Sequence, residues 1–249
     1  MDVIFELSFV FRQVVSLAIL CVVQYSTGLL VIHKNVRVNY TRKINHFLLF
    51  VIPIVLNQSY ALDQSTSLFV LGAALAVAKF VFYVRPIRQR VPVINTMFSS
   101  FDRPEDRPYT LVWLVTQTAV GYCVLLPMGL LLAKFDSLEL LLIPLLIYGI
   151  GDGLAEPVGV RFGRHKYLVS GLFTKTRFYR SYEGSACVFV TSLIVVLLHH
   201  ASFSTAQLLV ALVIIPILMT LAEAVSPHTW DSPLMFLVGG LSVWAVVLI

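Results

Sequence analysis

Apolar residues in this chain run in long blocks, and polar residues gather in short stretches between them. Crossing about 30 Å of hydrocarbon takes roughly 20 apolar residues per helix. The blocks predict helices over about 5–32, 46–58, 67–84, 109–133, 138–150, 184–200, 206–224 and 233–249, of which the second and fifth are short for full spans. The expected fold class is all-α: one polytopic membrane helix bundle of about eight transmembrane helices, a single membrane domain over 1–249, with no repeat and no domain linker. Its longest polar connection is 151–183.

Composition sharpens that expectation. Of 249 residues, 58% are hydrophobic and 12% charged, with a mean hydropathy of +0.88, whereas a soluble domain carries roughly 25% charged residues. No soluble fold hides so much apolar surface. The first block is too long for a signal-peptide core and shows neither a basic leader nor a small-residue cleavage site, so it is expected to stay as a helix. Cys21, Cys123 and Cys187 lie inside apolar blocks without metal-ligand spacing and read as small buried hydrophobes.

The net charge of +5 does not point to nucleic acid, because the cations sit in loops that flank apolar blocks. Lys34, Arg37, Arg42 and Lys43 fall in one loop, Arg85, Arg88, Arg90, Arg103 and Arg107 in a second, and Arg161, Arg164, Lys166, Lys175, Arg177 and Arg180 in a third. Alternating loops put all three on one side and only Lys134 on the other, so the expected topology has these loops cytoplasmic and both termini outside. Lys79 is expected to snorkel, and His199 and His200 to anchor a helix end. Of the two glycosylation sequons, Asn39-Tyr40-Thr41 falls on the cytoplasmic side and Asn57-Gln58-Ser59 is a short pattern of little weight.

Candidate chemistry gathers in the third loop. It opens with Gly149-Ile150-Gly151-Asp152-Gly153-Leu154-Ala155-Glu156-Pro157-Val158-Gly159. If the helix continues through this point, Asp152 and Glu156 stand one turn apart, about 5–6 Å between Cβ atoms, where two carboxylates can share a divalent cation. The alternative is a glycine-capped helix end whose acids face water. Downstream lie the cations from Arg161 to Arg180, with Gly163 among them, and cations beside a carboxylate-bound metal suit a polyphosphate. Then Arg180-Ser181-Tyr182-Glu183-Gly184-Ser185 opens a helix whose positive end suits phosphate, with Ser181 as the N-cap. Glu183 reads either as a first-turn dipole partner or as a group that holds a metal or accepts a proton. Glu223, Asp231, Arg42, Lys43 and His46 are assigned to the same side, and ionisable groups at membrane depth are functional candidates.

Several separated blocks resemble the family of CTP-dependent polyprenol kinases, which includes phytol, farnesol and dolichol kinases and is distantly similar to phosphatidate cytidylyltransferases. Arg42-Lys43-Ile44-Asn45-His46 resembles the family's RKxxH, and Gly151-Asp152-Gly153-Leu154-Ala155 with Gly159-Val160-Arg161-Phe162-Gly163 resembles its GDxxA…GxxFG loop. Arg180-Ser181-Tyr182-Glu183-Gly184-Ser185 resembles the K-S-x-E-G-S box, and Ala222-Glu223-Ala224 with Asp231 the closing acidic pair. The resemblance covers about 40–249; Arg180 replaces the usual Lys, and Ser232 the usual Asn.

This resemblance implies Mg²⁺-dependent transfer of the γ-phosphate of CTP to the hydroxyl of a membrane isoprenoid alcohol. It implies metal binding by Asp152, Glu156 and Asp231, and a catalytic set of Asp152, Glu183 and Glu223. Nucleotide binding would fall to Arg42, Lys43, His46, Gly151, Gly153, Gly159, Arg161, Gly163, Lys166, Lys175, Arg180, Ser181, Gly184 and Ser185. The expected partners are a membrane lipid alcohol and a nucleotide, with no nucleic acid. Rival readings are a cytidylyltransferase acting on a lipid phosphate, a CTP-dependent diacylglycerol kinase and a transporter; the last normally sets its charges near the midplane of repeat-related helices.

Overall fold

The computed structural model describes residues 2–56 and 66–249; the end of the expected 46–58 helix and the sequon Asn57-Gln58-Ser59 lie outside the described residues. Where the sequence offers no linker and one membrane domain is expected, the chain divides into two compact units, Met1–Leu111 and Val112–Ile249.

The first unit contains α1 (Asp2–Lys34), α2 (Val38–Val55), α3 (Thr66–Ala78, continued by a 3-10 turn Lys79–Tyr83), α4 (Arg85–Arg90) and α5 (Pro92–Ser99). Prolines stand in the first turns of α4 and α5, where a missing N–H costs nothing, and the chain forms two short helices there. α1 lies against α5 so closely that a Cβ on Gly28 would stand 2.0 Å from the Thr96 carbonyl oxygen. On α2, Thr41 and Asn45 are one turn apart and both reach Ser100: Thr41 Oγ1 donates to its carbonyl at 2.7 Å and Asn45 Nδ2 to its hydroxyl at 2.9 Å. Below them a buried Arg103 grips Asp106 with two hydrogen bonds of 2.8 and 3.0 Å.

The second unit contains most of α6 (Thr110–Ala133), then α7 (Leu138–Phe162), strands β1 (Lys166–Ser170) and β2 (Arg177–Ser181), α8 (Tyr182–Leu198), α9 (Thr205–Val225) and α10 (Asp231–Val247). Its core is mainly apolar: Ile143, Ile147, Val188, Val196, Ile215, Met219, Met235 and Val243 are fully buried. Where these helices face lipid, close van der Waals packing of such side chains is what favours their association.

The helical membrane-type character is present, but the described residues do not show eight full spans. Among the described residues, five helical stretches are long and apolar enough to cross a membrane, namely Ser8–Lys34, Thr66–Tyr83, Thr110–Ala133, Leu138–Phe162 and Thr205–Val225. α8 and α10 are apolar but have 17 residues each, about 25 Å at 1.5 Å per residue, short of the roughly 30 Å core. α2 carries Arg42, Lys43 and His46 and is not among the five.

Two expectations for 151–183 change. The fifth helix does not stop near 150; it runs on to Phe162, through a wide π turn at Ile147–Asp152. Among the described residues no glycine has positive φ, so no left-handed glycine cap ends the helix there. The rest of the expected loop forms an antiparallel hairpin, with Tyr167 opposite Arg180 and Val169 opposite Phe178. Alternation explains it: Tyr167, Val169 and Phe178 turn inward around Trp113, whose indole Nε1 donates to the Leu172 carbonyl at 3.0 Å. The link between α9 and α10 closes over this cluster. His228 donates its backbone N–H to the Ser170 carbonyl at 2.8 Å and stacks on Phe178 with ring centroids 3.7 Å apart.

Candidate active site

Arg180 is the hub of a buried polar cluster in the second unit. Its register on β2 turns the guanidinium inward, where one amino group donates to Glu223 Oε1 at 2.8 Å and the other to Asp231 Oδ1 and, at 3.2 Å, to the Ser226 carbonyl. The side chains of Arg180, Glu223 and Asp231 are 12%, 5% and 12% exposed. Burial opposes the Arg180 charge, but Asp231, then Glu223 and Asp152 outweigh it, so the guanidinium is held well above its ordinary pKa.

The cluster extends to α8 and β1. Ser185 Oγ donates to Glu223 Oε2 at 2.7 Å, and the Tyr167 hydroxyl lies 2.7 Å from Ser185 Oγ. The one serine proton points at the carboxylate, so Tyr167 is the donor in that pair. Its phenol is pushed up to about 12 by burial and then by the nearby Glu223 charge. Asp152 is buried in the π turn of α7, and such turns occur frequently at functional sites. Six elements therefore deliver Asp152, Tyr167, Arg180, Ser185, Glu223 and Asp231 to one region at the ends of α8, α9 and α10.

Glu183 stands in the first turn of α8, as its reading as a dipole partner requires, and it also holds the preceding turn. Its Oε1 accepts from the backbone N–H groups of Arg164 and His165 at 3.0 and 3.2 Å and lies 2.9 Å from His165 Nδ1, clasping the turn between α7 and β1 to the first turn of α8. With Arg161, Gly163, Arg164 and His165 it lines an open depression of about 530 Å³. Ser181 is the N-cap of α8 and accepts from the Gly184 N–H at 3.1 Å.

The glycines expected to admit a ligand face protein atoms. A Cβ on Gly184 would stand 2.7 Å from the Ala155 carbonyl oxygen, one on Gly159 2.8 Å from Ser181 Oγ, one on Gly163 2.9 Å from Ser181 Cβ, and one on Gly151 3.1 Å from the Val188 Cα. These glycines let α7 approach α8 and its cap. Gly153 and Ala155 are buried on α7 and Glu156 is half-buried one turn after Asp152. Arg161, Lys166 and Lys175 are exposed, Lys175 in the turn of the hairpin. Arg42, Lys43 and His46 lie in the first unit on α2, with Lys43 buried and His46 packed 5.2 Å from the Phe50 ring.

Among the described residues no three of His, Cys, Asp and Glu converge as a metal-holding group, and Asp231, expected as a ligand, is engaged by Arg180. Mg²⁺ needs fewer protein ligands, usually one or two carboxylates plus substrate phosphates. The charge also suits it: Asp152, Glu223 and Asp231 are three buried carboxyls beside one guanidinium. Asp152 and Glu156, consecutive turns of one helix, are the pair that fits.

Sequence reasoning missed Tyr167. A signal was present, because Lys166–Ser170 and Arg177–Ser181 flank a short turn and place inward residues at alternate positions; read as strands, they set Tyr167 opposite Arg180. Comparison with known protein families, curated proteins and solved structures finds nothing that matches this chain.

Proposed function

We propose that this protein is a membrane lipid kinase that transfers the γ-phosphate of CTP to the hydroxyl of an isoprenoid alcohol. The observation that carries this is the buried Asp152, Arg180, Ser185, Glu223 and Asp231 cluster at the ends of apolar helices. Burying several ionisable groups is costly, and a prenyl alcohol brings its hydroxyl to the same boundary between hydrocarbon and polar groups.

Phosphoryl transfer needs little covalent chemistry from a protein; positioning and charge neutralisation dominate. Arg161, at the open depression, meets the nucleotide phosphates. Arg180, whose two amino groups are engaged by Glu223 and Asp231, supplies fixed positive charge beside the transferring group. Glu223 takes the alcohol proton, with Ser185 fixing the orientation of its carboxylate. Asp152 and Glu156 would hold Mg²⁺, which when bound neutralises phosphate charge. In this proposal α2, α8 and α10 complete eight spans, and the basic loops and the active face are cytoplasmic.

The test is a product assay on purified protein with γ-labelled CTP or ATP, offering phytol, farnesol, geranylgeraniol, dolichol, diacylglycerol or phosphatidic acid. Label is expected on a prenyl alcohol. Label on diacylglycerol moves the acceptor to a glycerolipid. Release as pyrophosphate with phosphatidic acid establishes a cytidylyltransferase, and no turnover on any pair removes this chemistry.

A further inference from the structure

The hairpin has two faces of different character. Its inward face serves the Trp113 cluster and Arg180. Its outward face carries Leu168 and Tyr179 as cross-strand neighbours, 47% and 72% exposed, with Lys166 and Arg177 beside them. Lys166 Nζ stands 6.0 Å from the centre of the Tyr179 ring. In the turn, Phe173 is 71% exposed next to the exposed Lys175.

Phe173 also has φ 60°, a left-handed conformation that is unfavourable for a bulky residue and natural for Gly or Asn. A bulky aromatic held there with its ring in the open points to a use for that ring. The solvated face of an antiparallel sheet is ordinarily polar; this one alternates aromatic or aliphatic groups with cations.

Chain connectivity places the hairpin at the end of a candidate membrane span. Only residues 163–165 separate β1 from the end of the apolar stretch Leu138–Phe162, and β2 runs directly into the apolar α8. We propose that the outward face and turn of the hairpin lie on the headgroup layer of the bilayer that holds the chain and bind anionic lipid there. Phe173, Leu168 and Tyr179 enter the interface, where amphipathic aromatic rings are favoured. Lys166, Lys175 and Arg177 meet lipid phosphates, and the attraction falls off within a Debye length. This requires only that the chain crosses a bilayer, and it withdraws Lys166 and Lys175 from the nucleotide.

The full chain, with Cys21, Cys123 and Cys187 replaced by Ala, is labelled at Phe173→Cys or, separately, Tyr179→Cys with an environment-sensitive dye. It is reconstituted into vesicles of phosphatidylcholine alone or with about one third phosphatidylglycerol. Expected are quenching by lipid spin-labelled near its headgroup and several-fold protection from aqueous iodide, both greater with phosphatidylglycerol. The triple variant K166Q, K175Q, R177Q is expected to lose that increment while keeping its signal in phosphatidylcholine. Iodide quenching equal to that of the free dye overturns the proposal. So does protection that depends on protein-to-lipid ratio, which makes the occupant a second copy, or a response to added CTP without lipid quenching, which makes it the nucleotide.

Discussion

At the scale of single residues, Arg180 is the most consequential side chain, because it ties Glu223 on α9 and Asp231 on α10 to β2. Removing one partner of a buried ion pair strands the others, a cost of about 3–5 kcal/mol. Arg180→Met is therefore expected to lower the unfolding midpoint in detergent substantially. Arg180→Lys is expected to fall between it and the parent, since one ammonium keeps the charge but lacks the planar fork that serves two carboxylates. Equal midpoints for all three proteins would show that the cluster contributes nothing to stability. Asp152 makes the opposite case. Asp152→Asn preserves shape while removing a charge, so phosphoryl transfer is expected to vanish with insertion and gel-filtration behaviour unchanged. Near-normal turnover at saturating Mg²⁺ would move the metal away from Asp152.

At the scale of elements, the contact of α7 with α8 can be weighed term by term. Gly184→Ala gains about 1 kcal/mol of helix propensity, yet its new Cβ meets the backbone carbonyl of Ala155 at 2.7 Å and the Ser181 cap at 3.2 Å. Backbone yields poorly, and overpacking costs about 1–3 kcal/mol, so the net effect is expected to be destabilising, read as a lower unfolding midpoint; a rise would mean that α7 slides away freely. Helices of this kind were legible in the sequence, since uninterrupted apolar blocks announce α1, α6 and α9, and Ser181 announced the start of α8. The hairpin was hidden by its charges: Arg177, Arg180, Lys166 and Lys175 read as a solvated cationic loop, and only the alternate burial of Tyr167, Val169 and Phe178 makes them strands. For the same reason Glu183 looked catalytic from its neighbours in sequence, whereas its partners Arg164 and His165 come from the preceding turn.

At the scale of the whole chain, orientation rests on charge alone. The cations cluster in three stretches, from the end of α1 into α2, around α4, and from the end of α7 through the hairpin, while Lys134 stands apart in the turn between α6 and α7. Short loops rich in Lys and Arg stay in the cytoplasm, so the hairpin turn and the connection between α8 and α9 are expected on opposite sides, provided α8 completes its crossing. Its 17 residues make that the weakest link in the alternation, although tilt of neighbouring helices and local thinning of the bilayer accommodate a shortfall of a few Å at a fraction of a kcal/mol per Å. With Cys21, Cys123 and Cys187 replaced, a cysteine at Ser204 is expected to react with an impermeant maleimide added outside, and one at Thr174 only after permeabilisation. The reverse pattern inverts the chain. Labelling of both from one side makes α8 a re-entrant helix, and the count of spans changes by one.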